Sequence, residues 1–194
     1  QRDALCAAYA RIAALARAPR VQGELLGVLA ELRAVATTVQ DAEGGRAPRS
    51  PRGRARRTLL QEADAIVLEI AALRSLGDQG VDVGEPLRVA AEDLDAVAVA
   101  LRAGHGTHDI EAAIAQGDAA QEAMRSAPGG DPALRDEAMQ RVDHLREHLR
   151  AAWRATAAAT GPHVRGRVID PAETRRRLAD ARGVVRANLT LDSA

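Results

Sequence analysis

The chain has 194 residues with 27 basic and 27 acidic side chains, so its formal net charge is zero, and every basic residue is arginine. It contains no phenylalanine, one tyrosine and one tryptophan, whereas alanine, leucine, arginine and glutamate, which are good helix formers, are abundant. This composition argues against a sheet-based fold. The single cysteine, Cys6, excludes an internal disulfide and a cysteine-rich zinc module, and it is expected to be a buried small hydrophobe.

Apolar residues recur at helical spacing through the first part of the chain. They predict helices at about residues 2–18, 21–42 and 57–76. Between the second and third helices, residues 43–56 combine glycine, proline and serine with repeated positive charge, a pattern that predicts a mobile loop. Gly77 is placed to end the third helix in a left-handed cap.

The second part of the chain repeats the pattern with different start and stop signals. A fourth helix begins near Leu87 and stops near Gly104, and a shorter fifth helix is predicted at about 108–125. Two Asp-Pro pairs, each an N-cap followed by proline at the first helical position, open helices at about 131–159 and 170–187. No apolar run approaches the 18 or so residues that a membrane span requires.

Seven helices joined by mostly short connections predict an all-α bundle, antiparallel neighbour by neighbour, with alanine- and leucine-rich packing. We expect a single domain over residues 1–194, with 1–76 and 85–187 as candidate sub-bundles. Near-heptad seams on the third and sixth helices are suited either to packing within the chain or to pairing between two copies. Trp153 lies at the edge of the sixth-helix seam and is expected to fill the core.

The segment His144-Leu145-Arg146-Glu147-His148 matches the His-x-x-Glu-His pattern of inverted zincins. In that pattern two histidines one turn apart bind zinc and the glutamate acts as the base. Here Leu145 is on the expected buried face, so His144 and His148 fall on its flank, and no third-ligand motif follows. We therefore favour a solvated, charge-rich helix face, with no catalytic residue and no cofactor, and keep a zinc hydrolase as an alternative.

Two further segments allow a chemical interpretation. The turn at 104–108 places His105 and His108 before a helix start, where a metal or anion site is physically feasible. Glycine used for backbone freedom and Thr107 used as a cap explain the same turn. The sequence Asn188-Leu189-Thr190 is a formal glycosylation sequon, but Asn188 is better interpreted as a residue that ends a helix.

Charge is unevenly distributed along the chain. Residues 1–60 carry +6, residues 61–131 carry −10 and residues 132–194 carry +4. Six arginines lie in or directly after the predicted loop: Arg46, Arg49, Arg52, Arg54, Arg56 and Arg57. They are typical of a solvated disordered segment, and the functional alternative is attraction to anionic lipid headgroups, which contributes about 1 kcal/mol per basic residue near a membrane surface.

The last nine residues, 186–194, read Arg-Ala-Asn-Leu-Thr-Leu-Asp-Ser-Ala and follow an arginine-rich predicted helix. Asn188 is suited to end that helix, and Asp192 or Ser193 is suited to cap a further one. This stretch resembles the junction at which the soluble region of fusaric-acid-resistance and aromatic-acid-exporter type membrane proteins re-enters the bilayer.

The resemblance implies a layout of two membrane blocks separated by a large cytoplasmic helical region, and the chain is similar to that middle region almost end to end. It implies export of aromatic or other organic acids, driven by the proton gradient, and assigns no residue here to the substrate. Arginine enrichment at both ends of the chain agrees with the positive-inside rule for a cytoplasmic segment between membrane helices.

We therefore expect a helical domain on the cytoplasmic side of the bacterial inner membrane, with a role in assembly, support or regulation of an exporter. The expected partners are the transmembrane helices of the same full-length protein, anionic lipid headgroups and a second copy of the chain, but not nucleic acid. The alternative is a free-standing ligand-sensing or protein-binding bundle, which would contain a sizeable apolar pocket.

Overall fold

The computed structural model describes residues 1–19, 22–42, 50–104, 110–126 and 131–160, which all belong to the compact unit Gln1–Gly161. These residues form six α-helices, and no strand occurs among them. The helices are α1 (Arg2–Arg17), α2 (Gln22–Ala42), α3 (Pro51–Asp78), α4 (Gly84–Ala103), α5 (Ile110–Ser126) and α6 (Pro132–Thr160). The predicted all-α bundle is confirmed for these residues, whereas the predicted seventh helix at 170–187 lies outside them.

The apolar residues at helical spacing in α1, α3 and α4 are buried in one shared core, for example Leu5, Leu59 and Leu87. In α2 the agreement is partial, because Leu25 and Leu29 of the expected apolar face are only partly buried. Trp153 is 5% exposed, which confirms its expected place in the core, and Cys6 is buried with its thiol directed at the Ala98 carbonyl oxygen. No helix in the described part of the chain is long and apolar enough to span a membrane.

The two most extensive helix contacts join α3 to α6 and α1 to α4, which are not neighbours in the sequence. Glu62 meets His148 and Glu69 meets Arg141, so α3 and α6 run in opposite directions. The prediction that packing follows sequence order is therefore wrong for the main interfaces, although these pairs are antiparallel. The seams of α3 and α6 pack against each other within the chain.

The two candidate sub-bundles, 1–76 and 85–187, are joined by these interfaces, because α1 and α3 belong to the first range and α4 and α6 to the second. Within the described residues the two ranges share one hydrophobic core. The expectation of a single domain over 1–194 stays a prediction, since residues 162–194 lie outside the described part.

The predicted loop at 43–56 is wrong for its second part. α3 begins at Pro51, six residues before the predicted start, because Ser50 acts as the N-cap and its hydroxyl accepts a hydrogen bond from the Gly53 amide at 3.0 Å. Ser-Pro is a helix-start signal, with proline at the first helical position, and it outweighs the surrounding glycine and arginine. Arg52, Arg54 and Arg56 are therefore helical.

The end of α3 also differs from the prediction. Gly77 lies inside the helix, which continues to Asp78, and the glycine with a left-handed backbone is Gly80, with φ of 95°. A Cβ on Gly77 would lie 2.9 Å from Val83 Cγ2, so this glycine provides space for the buried Val83 side chain. By contrast, α4 ends at Gly104 as predicted, and this glycine adopts the left-handed conformation.

Candidate functional site

The histidines of the zincin-like segment lie at the rim of the α3–α6 interface, where 44% of the His144 side chain and 34% of the His148 side chain are exposed. His148 lies one turn after His144 on α6, and its Nδ1 atom is 2.7 Å from Glu62 Oε2 of α3. Leu145 and Leu149 are buried on the adjacent face, so the ring is held at the edge of the core. The pair is an interhelical hydrogen bond with ionic character whenever the imidazole is protonated.

Glu69 forms the second polar contact of this interface. Its side chain is 12% exposed, and it lies 3.7 Å from His144 Nδ1 and 3.5 Å from Arg141 Nη1. The Oε2 atom is buried without a hydrogen bond of good geometry, so the Arg141 contact is an ion pair and not a hydrogen bond. Glu62 and Glu69 are seven residues apart, which places both carboxylates on one face of α3.

The described residues give no support to the zinc-hydrolase alternative. Each histidine Nδ1 atom faces its own glutamate, and Glu147, the residue that would act as the base, is exposed. In the described part of the chain, no three histidine, cysteine, aspartate or glutamate side chains are close enough together to hold a metal ion. The residues are thus arranged as two separate interhelical contacts.

A polar network attaches α5 to α6. Gln121 donates a hydrogen bond to Asp143 at 2.7 Å and accepts one from Arg146 at 2.6 Å, and Arg146 also pairs with Asp118. Gly117 allows the close approach, because a Cβ there would lie 2.9 Å from Arg146 Nε. The arrangement is a structural clamp, and its members satisfy one another.

Five chain segments meet at one end of the bundle. Arg56 of α3 donates a hydrogen bond to the Gln1 side chain, and Arg2 lies against Gly104 at the end of α4. Because α3 and α6 are antiparallel, the first turns of α3 lie beside the last turns of α6. The end of α2 lies beside Arg57, since Val39, Gln40 and Arg57 line one surface groove.

We call this surface the basic end and define it as residues 1–7, 37–41, 50–60, 99–104 and 150–160. It carries eight arginines and two acidic residues, Asp3 and Asp41. The arginines are Arg2, Arg52, Arg54, Arg56, Arg57, Arg102, Arg150 and Arg154. The remaining described residues carry nine arginines and nineteen acidic residues, so charge is separated along the bundle axis.

Two arginines in the first turn of α3, Arg52 and Arg54, lie at the positive end of its helix dipole. The first turn of this helix contains no acidic residue, and the N-terminus of a helix carries partial positive charge. Basic side chains at this position destabilise the helix, whereas an anion there is favoured. The helix dipole by itself therefore disfavours Arg52 and Arg54 at these positions.

The enclosed space in the described residues is small. A cleft between α4, α5 and α6, beside Val89, Leu145 and Trp153, has a volume of about 30 Å³, enough for one water molecule. A groove of about 320 Å³ between α2 and α3 is open to solvent and bordered by Arg57 and Asp64. Burial raises the pKa of Asp64 despite the nearby Arg33.

Several predicted site residues lie outside the described residues: Arg46, Arg49, the histidines of the 104–108 turn, the 188–190 sequon and the segment 186–194. Sequence reasoning missed the Glu62–His148 and Glu69–His144 contacts. The seven-residue spacing of the two glutamates, beside an apolar stripe with the same period, was the available signal.

Comparison of the chain with protein-family models, curated proteins and solved structures found no match.

Proposed function

We propose that the chain forms the cytoplasmic helical domain of an exporter-type integral membrane protein and supports its assembly or regulation without chemistry of its own. The observation that carries the proposal is the shared position of the first turn of α1 and the last turn of α6 at the basic end. In the described part of the chain, a bundle whose two ends lie together is suited to insertion between two segments of a longer chain. The resemblance of residues 186–194 to a bilayer re-entry junction supplies the class.

The charge of the basic end supports the same proposal. Cytoplasmic segments close to membrane helices carry an excess of arginine and lysine, and this bias is strongest near the ends of the spans. In the bundle the excess arginine lies where α1 begins and α6 ends, and all but two of the 21 acidic residues in the described part of the chain lie outside the basic end. The proposed location is therefore the cytoplasmic side of a bacterial inner membrane, with the basic end facing the bilayer.

The α3–α6 contacts favour a structural role over a catalytic one. Catalytic acids and bases must reach a substrate, usually in a concave pocket. Here Glu62 is engaged by His148, and Glu69 is largely buried between His144 and Arg141. These side chains connect the two long helices α3 and α6. A connection that stabilises the bundle is suitable in a domain that supports attached membrane segments.

The alternative of a free-standing ligand-sensing bundle receives less support. Small-molecule sites are clefts of about 300–1,000 Å³ that bury most of the ligand. The cleft beside Trp153 has about 30 Å³, and the larger α2–α3 groove is open on one side. The groove, at about 320 Å³, reaches the lower end of that range, but it is open to solvent and bordered by the charged side chains of Arg57 and Asp64.

The gene sequence around this segment tests the proposal directly. We expect hydrophobic spans to be encoded within about 30 residues on both sides of the segment, with basic residues on the cytoplasmic flanks. In cell fractionation, the natural gene product should stay with the inner membrane through a high-salt wash that removes peripheral proteins. A gene that starts near Gln1 and stops near Ala194 would contradict the proposal.

A further inference from the structure

We propose that the basic end is a docking surface for anionic lipid headgroups, so that the bundle stands on the membrane with its helix axes directed away from the bilayer. The inference rests on the proposed function for its choice of a membrane as the partner. It goes further, because attachment to membrane helices requires no contact between the bundle itself and lipid.

The arginines of the basic end come from four helices that are distant in sequence, α1, α3, α4 and α6. The packing of these helices brings the arginines to one end of the bundle. Arg54, Arg57, Arg102 and Arg154 are exposed there. A surface formed by several helix ends presents charge over an area, which matches a plane of headgroups better than a single narrow ligand.

The positions of two of these arginines lower the stability of α3. Arg52 and Arg54 lie in the first turn of α3, at the positive end of the helix dipole, and that turn contains no acidic residue. Local sequence choices that oppose local stability tend to mark functional surfaces. Anionic headgroups near this helix start would offset both the arginine charges and the dipole.

The separation of charge in the bundle favours one orientation of the bundle relative to the membrane. The described residues outside the basic end hold nineteen acidic residues against nine arginines. The cytoplasmic leaflet carries a negative surface potential that decays within about 10 Å. That field attracts the basic end and repels the rest of the bundle, so a single orientation is favoured.

The aromatic content favours lipid over nucleic acid. Single-stranded nucleic acid is usually bound by aromatic side chains that stack on bases, and the chain contains only Tyr9 and Trp153 as aromatic residues. Both are buried in the core. The arginines also lie around the end of a bundle and do not follow one helix into a groove.

The test is flotation of the 194-residue chain with vesicles of phosphatidylglycerol and phosphatidylcholine, compared with phosphatidylcholine alone. We expect binding to the anionic vesicles that weakens as salt is added and little binding to the neutral ones. Replacing two exposed arginines, Arg54→Gln and Arg57→Gln, should lower the partition coefficient about 25-fold, since each basic residue contributes about five-fold. A second pair, Arg102→Gln with Arg154→Gln, should act similarly from other helices.

The matched control replaces Arg88→Gln and Arg125→Gln. These residues are equally exposed and change the net charge by the same amount, but they lie near the start of α4 and the end of α5. They stand about 16 Å or more from the basic end, beyond the range of the surface field, so binding should change less than about two-fold. Circular dichroism and thermal unfolding confirm that each variant is folded.

Four outcomes would overturn the inference: absence of binding to anionic vesicles at low salt, equal binding to neutral vesicles, an equal loss in the control, or no loss in either pair at the basic end. Tighter binding to a DNA duplex than to vesicles at the same salt would reassign the surface to nucleic acid. Failure here leaves the proposed function standing if the gene encodes flanking spans. Absence of spans, with vesicle binding intact, would remove the proposed function alone.

Discussion

Tyr9 is the chain's one tyrosine and has no exposed surface. Its hydroxyl donates a hydrogen bond to the Leu59 carbonyl oxygen at 2.8 Å, which connects α1 to α3 in the middle of the core. Burial, with a smaller contribution from the negative charge of Glu62, raises the pKa of Tyr9 above its usual range. The folded state therefore keeps this side chain protonated at pH values at which the unfolded chain releases the proton.

We predict that Tyr9 makes the free energy of unfolding fall as pH rises above about 10. The raised pKa means that the folded state binds more protons than the unfolded state in this range, so the contribution is fully present below pH 10 and is lost above it. The slope from this residue approaches about 1.4 kcal/mol per pH unit.

Denaturant unfolding at several alkaline pH values measures that slope. The Tyr9→Phe variant is the control, because it keeps the ring and removes the titrating group. Its stability should lose this part of the pH dependence, at a cost of about 1 kcal/mol at neutral pH for the missing hydrogen bond. An unchanged alkaline slope in the variant would show that Tyr9 is not the group responsible.

At the same scale, the sequence predicted burial better than it predicted polar contacts. Ile12, Leu59 and Leu94 are buried because apolar periodicity alone determines which helix face is removed from water. Glu62 and His148 are 86 residues apart in the sequence, and their contact depends on how α3 and α6 are aligned against each other. The apolar periodicity of each helix carries no information on that alignment.

The long helices α3 and α6 form the most extensive interface of the bundle, with an apolar seam flanked by polar pairs. Glu62 and His148 are 2.7 Å apart with partly exposed side chains, whereas Glu69 and His144 are separated by 3.7 Å. Only the first distance is short enough for a hydrogen bond. The first pair should therefore contribute more to the stability of this interface than the second.

We predict a coupling of about 1 kcal/mol between Glu62 and His148 in a double-mutant cycle made with Glu62→Ala and His148→Ala. The matched cycle with Glu69→Ala and His144→Ala should give less than about 0.5 kcal/mol, because that contact lies beyond hydrogen-bond distance. Urea unfolding of the single and double variants measures both. A larger coupling for the Glu69 cycle would contradict the geometry.

The start of α3 shows why the predicted loop was wrong for residues 51–56. Glycine, proline and arginine between 43 and 56 indicate low burial, but a segment with low burial can still be helical. Ser50 and Pro51 are the local signals that matter, since a cap and a first-turn proline allow a helix to begin even where its first turns bury little. The arginines of α3 are consequently held on a fixed helix.

For the whole molecule, the sequence predicted the fold class and the uneven charge along the chain, but it did not predict where that charge lies in the folded bundle. Along the chain, charge is basic, acidic and basic in three consecutive blocks. In the bundle, antiparallel pairing of α1 with α4 and of α3 with α6 collects arginines from both basic blocks, with Arg102 of α4, at one end. That pairing is a long-range property, and nothing in the local pattern specifies it.

Two exposed alanines on α6 offer a matched pair of positions for testing the orientation. Ala158 belongs to the basic end, and Ala133 lies in the first turn of the same helix. The 25 residues between them correspond to about 37 Å. The one natural cysteine, Cys6, is buried, which confines thiol labelling to an introduced site.

The most direct test of the membrane-facing basic end is quenching of a fluorophore on Ala158→Cys or Ala133→Cys by a quencher attached to lipid headgroups, with the chain bound to anionic vesicles. We expect strong quenching at position 158 and little at position 133, because only the basic end lies within reach of the headgroups. Equal quenching at both positions, or stronger quenching at 133, would contradict it.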